Sequence, residues 1–194
     1  MSVIYTECNK EMISRNFYNS DEKITVTMVK KCMSNHITDH LNLTKKDICS
    51  RFLKGKYKET SSKNYQLSNK QASRISWFNN EDLAYNYCAA ALNSNNIKNQ
   101  IRKWLNLWDR SQGYSFEIRV STKNSNLGKF VTKKGDWNNF SICSNLIIVL
   151  GLESMSNVEN AGFTIKTIYP VPTPEEQRIH DEKVIMYYND KNKK

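Results

Sequence analysis

The sequence predicts an α+β fold, with helices first and antiparallel strands after. Two changes of texture carry that reading. Ile97, Ile101, Trp104, Leu105 and Trp108 recur at i, i+4, i+7, i+8 and i+11, the stripe of an amphipathic helix. Past Gly113 the period falls to two, as Phe116, Ile118 and Val120 alternate with Glu117 and Arg119. The longest apolar run, Leu146 to Leu150, is strand-sized and far short of the ~20 residues of a membrane helix.

Residues 1–23 show no clear period and read as an N-terminal arm or linker, ahead of one domain over 24–172 and a C-terminal tail over 173–194. Ile24, Val26 and Met28 alternate weakly, as a strand or a lead-in to a helix. Met33, Ile37 and Leu41 repeat every four residues, which suggests a short helix. Thr44 with Asp47 three residues on forms a capping-box pattern for a helix from about Lys45 to Leu53. Its core side would hold Cys49, Phe52 and Leu53, with Arg51 on a flank. Residues 55–70 have no apolar period and read as a basic loop. Ala72 to Phe78 reads as a strand. Asn79 or Asn80 then caps a helix to about Asn93, with Ala84, Tyr87, Cys88 and Ala91 inward, and Asn95 or Asn96 caps the next. Strands follow at Phe116–Val120, Lys129–Lys133, Phe140–Leu152 and Phe163–Val171; Pro170, Pro172 and Pro174 close the last, and the tail allows one short helix.

The formal charge of +10 points to a negatively charged partner, nucleic acid before membrane surface, since no basic amphipathic helix or lipidation signal is present. Between residues 45 and 74 nine lysines and arginines face only two acids, Asp47 and Glu59. Phe52, Tyr57, Tyr65, Trp77 and Phe78 lie among them, and cations with interleaved rings are the ingredients of single-strand RNA binding. Cys8, Cys32, Cys49, Cys88 and Cys143 are odd in number and contain no CxxC, which suggests reduced thiols in a protein working in a cytosol. The start, MSVIYTECNKEMIS, shows no classical secretory signal.

Four residues carry candidate chemistry. An imidazole at His40 can accept and return a proton near neutrality. A guanidinium at Arg51 gives phosphate two parallel hydrogen bonds and keeps its charge. Thr167 and Tyr169 are two apart, so a strand would send both hydroxyls from one face, toward a phosphate or an oxyanion. Lys45, Lys46 and Lys54 flank Arg51 as candidate substrate-binding cations. His36 and His40 form an HxxxH, but without a converging third and fourth ligand it is a poor metal site.

The segment NHITDHLNLTKKDICSRFL resembles the opening of the ribonuclease A-like toxin domain found at the C-termini of bacterial contact-dependent growth-inhibition proteins. ASRISWFNNEDLAYNYCAAAL, QIRKWL, LGKFV and FTIKTIYPVP follow in the family's order, covering about residues 33 to 172. His40 falls on the family's catalytic histidine, Arg51 on its helix arginine, and Thr167 and Tyr169 on the Thr and Tyr of its last strand. Asn35, Ile37 and Asp39 depart from the opening motif, where the family has glycine, threonine and arginine.

The resemblance implies a ribonuclease A-like fold without its disulfides, N-terminal helices packing on a curved antiparallel sheet. It implies a metal-independent endoribonuclease toxin that needs no cofactor, makes a 2′,3′-cyclic phosphate, acts in the cytosol of a target cell after secretion or delivery, and is neutralised by a cognate, acidic immunity protein. The rival is a non-catalytic RNA- or DNA-binding module using the basic 45–74 segment. A toxin transferring a nucleotide sugar is a third reading, without a candidate glycine or acidic signature for an NAD site.

Overall fold

A computed structural model describes residues 4–5, 11–20, 22–33, 35–54, 57–58, 66–67, 73–106, 115–123, 127–133, 140–153 and 162–191. The chain begins with β1 (Ile4–Tyr5), β2 (Glu11–Ser14), α1 (Arg15–Asn19) and α2 (Val26–Cys32). A 3-10 helix (Asn35–His40), α3 (Lys45–Lys54), β3 (Tyr57–Lys58), β4 (Gln66–Leu67) and β5 (Arg74–Phe78) come next. Then follow α4 (Glu81–Asn93), α5 (Asn95–Asn106), β6 (Ser115–Ser121), β7 (Gly128–Thr132), β8 (Ser141–Cys143), β9 (Asn145–Glu153), β10 (Gly162–Val171) and α6 (Pro174–Lys191). The strands pair antiparallel in sheets of order β1-β2-β10-β9-β6, β5-β7-β8 and β3-β4. The class is the α+β that the sequence predicts. Cys32, Cys49, Cys88 and Cys143 are free thiols, and burial pushes the Cys32 thiol up to about 12. No described helix is long and apolar enough to cross a membrane.

The five-stranded sheet buries one face. Leu146, Ile148 and Leu150 of β9 meet Ile118 of β6 and Ile165 and Ile168 of β10, under Val29 of α2 and the inner faces of α4 and α5. Alternation decides this: paired residues share a face, and every second residue of β9 points to the helices. On α4, Ala84, Cys88 and Ala91 are small enough to bring that helix close to the sheet, and Asn80 caps it by accepting from the Asp82 and Leu83 amides.

A second, smaller core fixes α3. Ile48 and Phe52, both fully buried, pack on Ile75 and Trp77 of β5 and Val131 of β7. The capping box forms as read: Thr44 Oγ1 accepts from the Asp47 amide (3.3 Å), and Asp47 Oδ2 takes the Thr44 amide (2.9 Å). Phe52, Trp77 and Phe78 are buried, at 0%, 6% and 0% exposure, so these rings serve the core and offer no stacking platform to a base. The side chains of Leu53 and Lys54 and most of 55–70 lie outside the described residues.

The two sheets meet along β10. Pro170 lies so close to β7 that a Cβ on Gly128 would come within 2.7 Å of the proline ring and 2.5 Å of the Trp77 carbonyl. On the far edge of β10, β2 pairs only with Gly162 and Phe163. Met33 then bridges Ile165 in parallel, and Leu41 bridges Phe78 of β5. The 3-10 helix between them therefore runs from one sheet to the other. Asn42, at φ 46°, turns the chain back into α3, in a left-handed conformation that asparagine tolerates.

Three segments differ from expectation. Residues 11–20, read as part of an arm, enter the core: all four residues of β2 are buried, as are Phe17 and Tyr18, and the Tyr18 hydroxyl donates to the Leu92 carbonyl (2.8 Å). A strand buried on both faces shows no alternation to read. Phe140–Leu152, read as one strand, breaks at Ser144. The Ser144 carbonyl accepts from the amide and hydroxyl of Thr122 (3.1 and 2.6 Å), and its N–H donates to Glu176 (3.2 Å). Those bonds leave the ladder, so β8 and β9 part into different sheets. The tail forms an eighteen-residue helix instead of a short one. It opens on Thr173 and Glu176 in a capping box and is anchored by His180, 2% exposed, whose ring nitrogens bond Thr132 Oγ1 (3.0 Å) and Ser141 Oγ (2.8 Å).

Gly128→Ala is expected to cost about 1–3 kcal/mol, because the strands at the seam cannot accept a methyl group without shifting; urea unfolding measures it. Burial, above all, holds the His180 pKa below its ordinary value, a lowering that Asp181 opposes and Lys183 adds to. The folded state thus binds fewer protons than the unfolded one. That contribution to stability is complete above pH about 6.5 and declines as pH falls from there toward the lower folded pKa. Unfolding midpoints compared between pH 7.5 and 5.5 should decline less steeply in His180→Gln than in the parent.

Candidate functional site

The four candidate residues arrive from three separate elements. Thr167 and Tyr169 leave β10 on the face opposite the helices, since Ile168 between them is in the core. His40 ends the 3-10 helix at the edge of β10. Its ring stacks on Tyr169, with centroids 5.4 Å apart and planes 26° from parallel. Arg51 comes from α3, one residue before the buried Phe52, so its guanidinium emerges at the rim of the second core. Arg51 Nη1 donates to the carbonyl of Asp39 (2.6 Å), and Nη2 lies 3.9 Å from the Asp39 carboxylate. Arg51 is thereby tied to the residue next to His40, and the eleven-residue spacing is closed by the turn at Asn42.

The bonds around His40 define its chemistry. Nδ1 lies 3.1 Å from the Ser76 carbonyl of β5. A carbonyl only accepts, so the contact places a proton on Nδ1, and in the neutral ring Nε2 then carries the lone pair. A main-chain acceptor inside a sheet cannot rotate, so ring and tautomer are set by the fold. His40 and Tyr169 are both half-buried. Burial, and then the charge of Glu117, push the Tyr169 phenol above its ordinary pKa against the opposing pull of Arg119 and Arg74. Tyr169 is accordingly a protonated donor at neutral pH. Thr167 Oγ1 is shielded from solvent and has no hydrogen-bond partner among the described residues. An orphaned buried hydroxyl is uncommon in a native protein and marks a place where a partner is missing.

Three cations, among them Arg74 of the basic 45–74 segment, were not singled out as site residues by the sequence. Arg74 and Arg119 both act on the Tyr169 hydroxyl. Lys166 shares the site face because β10 has a bulge between Ile165 and Thr167, which sends two consecutive side chains out together. Its aliphatic stem lies across Gly151, where a Cβ would collide with Lys166 Cε. The signal for Arg119 was present in the alternation of Phe116 to Val120, which puts it on the polar face; the bulge at Lys166 has no sequence signature here. Lys45 and Lys46 are exposed at the start of α3, on the same helix as Arg51 and more than a turn from it. The side chain of His36 lies outside the described residues, and no cluster of three metal-ligating side chains occurs among those described.

No protein-family model matches the chain, and no curated protein does. Among solved structures it is similar to a chain in the crystal structure of the CdiA-CT/CdiI complex from Y. kristensenii 33638, with 22% identity and a TM-score of 0.50. The match covers 72% of this chain and 100% of that one. It is a likeness of fold.

Thr167→Val should leave stability unchanged or raise it by up to about 1 kcal/mol, because a buried hydroxyl without a partner is exchanged for a methyl group of the same shape. Thermal unfolding tests this, and a clear loss of stability would show that the hydroxyl is bonded.

Proposed function

We propose that this chain is a metal-independent endoribonuclease toxin of the ribonuclease A-like type, silenced by a cognate immunity protein. The stacking of His40 on Tyr169, with Arg51 tied to the residue beside His40 and Thr167 on the same face of β10 as Tyr169, carries the reading. The fold likeness to a chain of the CdiA-CT/CdiI complex and the order of motifs from residue 33 to 172 support it.

In this mechanism Nε2 of His40 takes the proton from the substrate's 2′-hydroxyl. The 2′-oxygen attacks the adjacent phosphorus, the bond from phosphorus to the 5′-oxygen breaks, and a 2′,3′-cyclic phosphate remains. The departing oxygen takes a proton from Tyr169, whose phenol is still protonated near neutrality. Proton exchange with water restores both groups. Arg51 binds the non-bridging oxygens as their charge grows, and a non-bridging oxygen supplies the acceptor that the Thr167 hydroxyl lacks. Lys45 and Lys46, exposed at the start of α3, add cations for the phosphate backbone, as would Lys54 at the end of the helix. The domain over 24–172 acts in the cytosol of a target cell after delivery, and an acidic immunity protein covering the site associates fast with a chain of charge +10.

Purified protein incubated with mixed cellular RNA in EDTA should cut it and leave 2′,3′-cyclic ends. His40→Ala should lower the rate by ~10²–10⁴-fold while RNA binding persists. DNA, which lacks the attacking hydroxyl, should bind without being cut. Undiminished cutting by His40→Ala, or cutting that requires a divalent metal, would reject the mechanism. Binding without cutting by the parent protein would favour a non-catalytic module.

A further inference from the structure

The face that carries Thr167 and Tyr169 continues across two more strands. Tyr169 of β10 pairs with Ile147 of β9, which pairs with Arg119 of β6. Thr167 likewise pairs with Val149, and Val149 with Glu117. Directly paired residues share a face, so two rows run from the candidate phosphate site, over an apolar pair, to a carboxylate and a guanidinium. The distance is two strand spacings, about 9–10 Å. On that face Ile147 is already covered, at 3% exposure, and Val149 beside it is partly exposed, so Val149 is the apolar surface left on the site side.

Glu117 is out of place on a surface meant for phosphates, because a carboxylate there repels the substrate. Glu117 and Arg119 are both exposed, two residues apart on one face and opposite in charge. Among the described residues neither side chain makes a hydrogen bond or an ion pair, with the other or with anything else. Their charges reach Tyr169, so they belong to the same electrostatic site.

We infer that Glu117 and Arg119, beside the partly exposed Val149, form a nucleobase subsite that selects guanine as the nucleotide whose 2′-hydroxyl attacks. Guanine offers two parallel N–H donors, N1 and N2, to one carboxylate, and two adjacent acceptors, O6 and N7, to one guanidinium. The other bases cannot supply both pairs. A base held there lies across β9 and β6 while its 3′-phosphate lies over β10, between Tyr169 and Arg51. The inference rests on the ribonuclease reading and adds the specificity to it.

The test uses the full chain and four fluorogenic DNA oligonucleotides, each with a single ribonucleotide, rG, rA, rC or rU, in EDTA. The expected result is cleavage after rG, with kcat/KM at least about 10-fold above the other three. In Glu117→Gln, which removes the paired acceptor, that ratio should fall by about 10- to 100-fold, and circular dichroism and the thermal midpoint should show the variant folded. Arg119→Met, with a side chain of similar length, provides a second, independent loss of the ratio. Cleavage of all four substrates alike, preference for another base, preference that follows the nucleotide 3′ to the cut, or a guanine preference unchanged in both variants would each overturn the subsite and leave the ribonuclease reading standing. No cleavage of any substrate by the parent protein would overturn both.

Discussion

Strand β10 is the member on which the rest of the molecule depends. Along one edge it forms the longest ladder with β9, and its inner face completes the main core through Phe163, Ile165 and Ile168. Its C-terminal end leans on the second sheet where Gly128 leaves room for Pro170. Past Phe163 its other edge is left by β2 and taken up by the segment from Met33 to Leu41. A strand held from three sides has one position available. The hydroxyls of Thr167 and Tyr169 inherit that position, and His40 is fixed against Tyr169 because its own segment is tied to β10 at Met33 and to β5 at Leu41.

The polar groups at this junction are held mainly by backbone. Ser76 gives a carbonyl to the His40 ring, and Asp39 gives one to Arg51. Main-chain acceptors in regular structure lose no side-chain freedom when they bond, so they orient a base and a cation at little entropic cost. Such preorganisation matters most where charge develops during a reaction. The same place also holds a buried hydroxyl without a partner among the described residues and a phenol kept from ionising by burial. The unbonded hydroxyl is unfavourable to the folded chain alone, whereas the neutral phenol keeps a proton to donate.

Local sequence rules succeeded where a local interaction decides the outcome. The capping box at Thr44, the N-cap at Asn80, the stripe of Ile97, Ile101, Trp104 and Leu105, and the alternation of β6 were all legible, because each depends on partners within a few residues. They failed where distant partners decide. β2 has no alternation because it is buried on both faces. The split at Ser144 depends on Thr122 and Glu176, which are 22 and 32 residues away. The aromatic side chains of Phe52, Trp77 and Phe78 looked available among lysines until α3 packed on β5.

By itself the sequence determined the class of fold, the strongly basic character, and a short set of residue types able to hold phosphate and move a proton, since these follow from composition, period and spacing. Only the tertiary structure decided that His40 meets Tyr169, that Arg51 turns to Asp39, and that a bulge sends Lys166 out beside Thr167. Those outcomes arise from the way two sheets join along one strand, and no stretch of neighbouring residues contains that information.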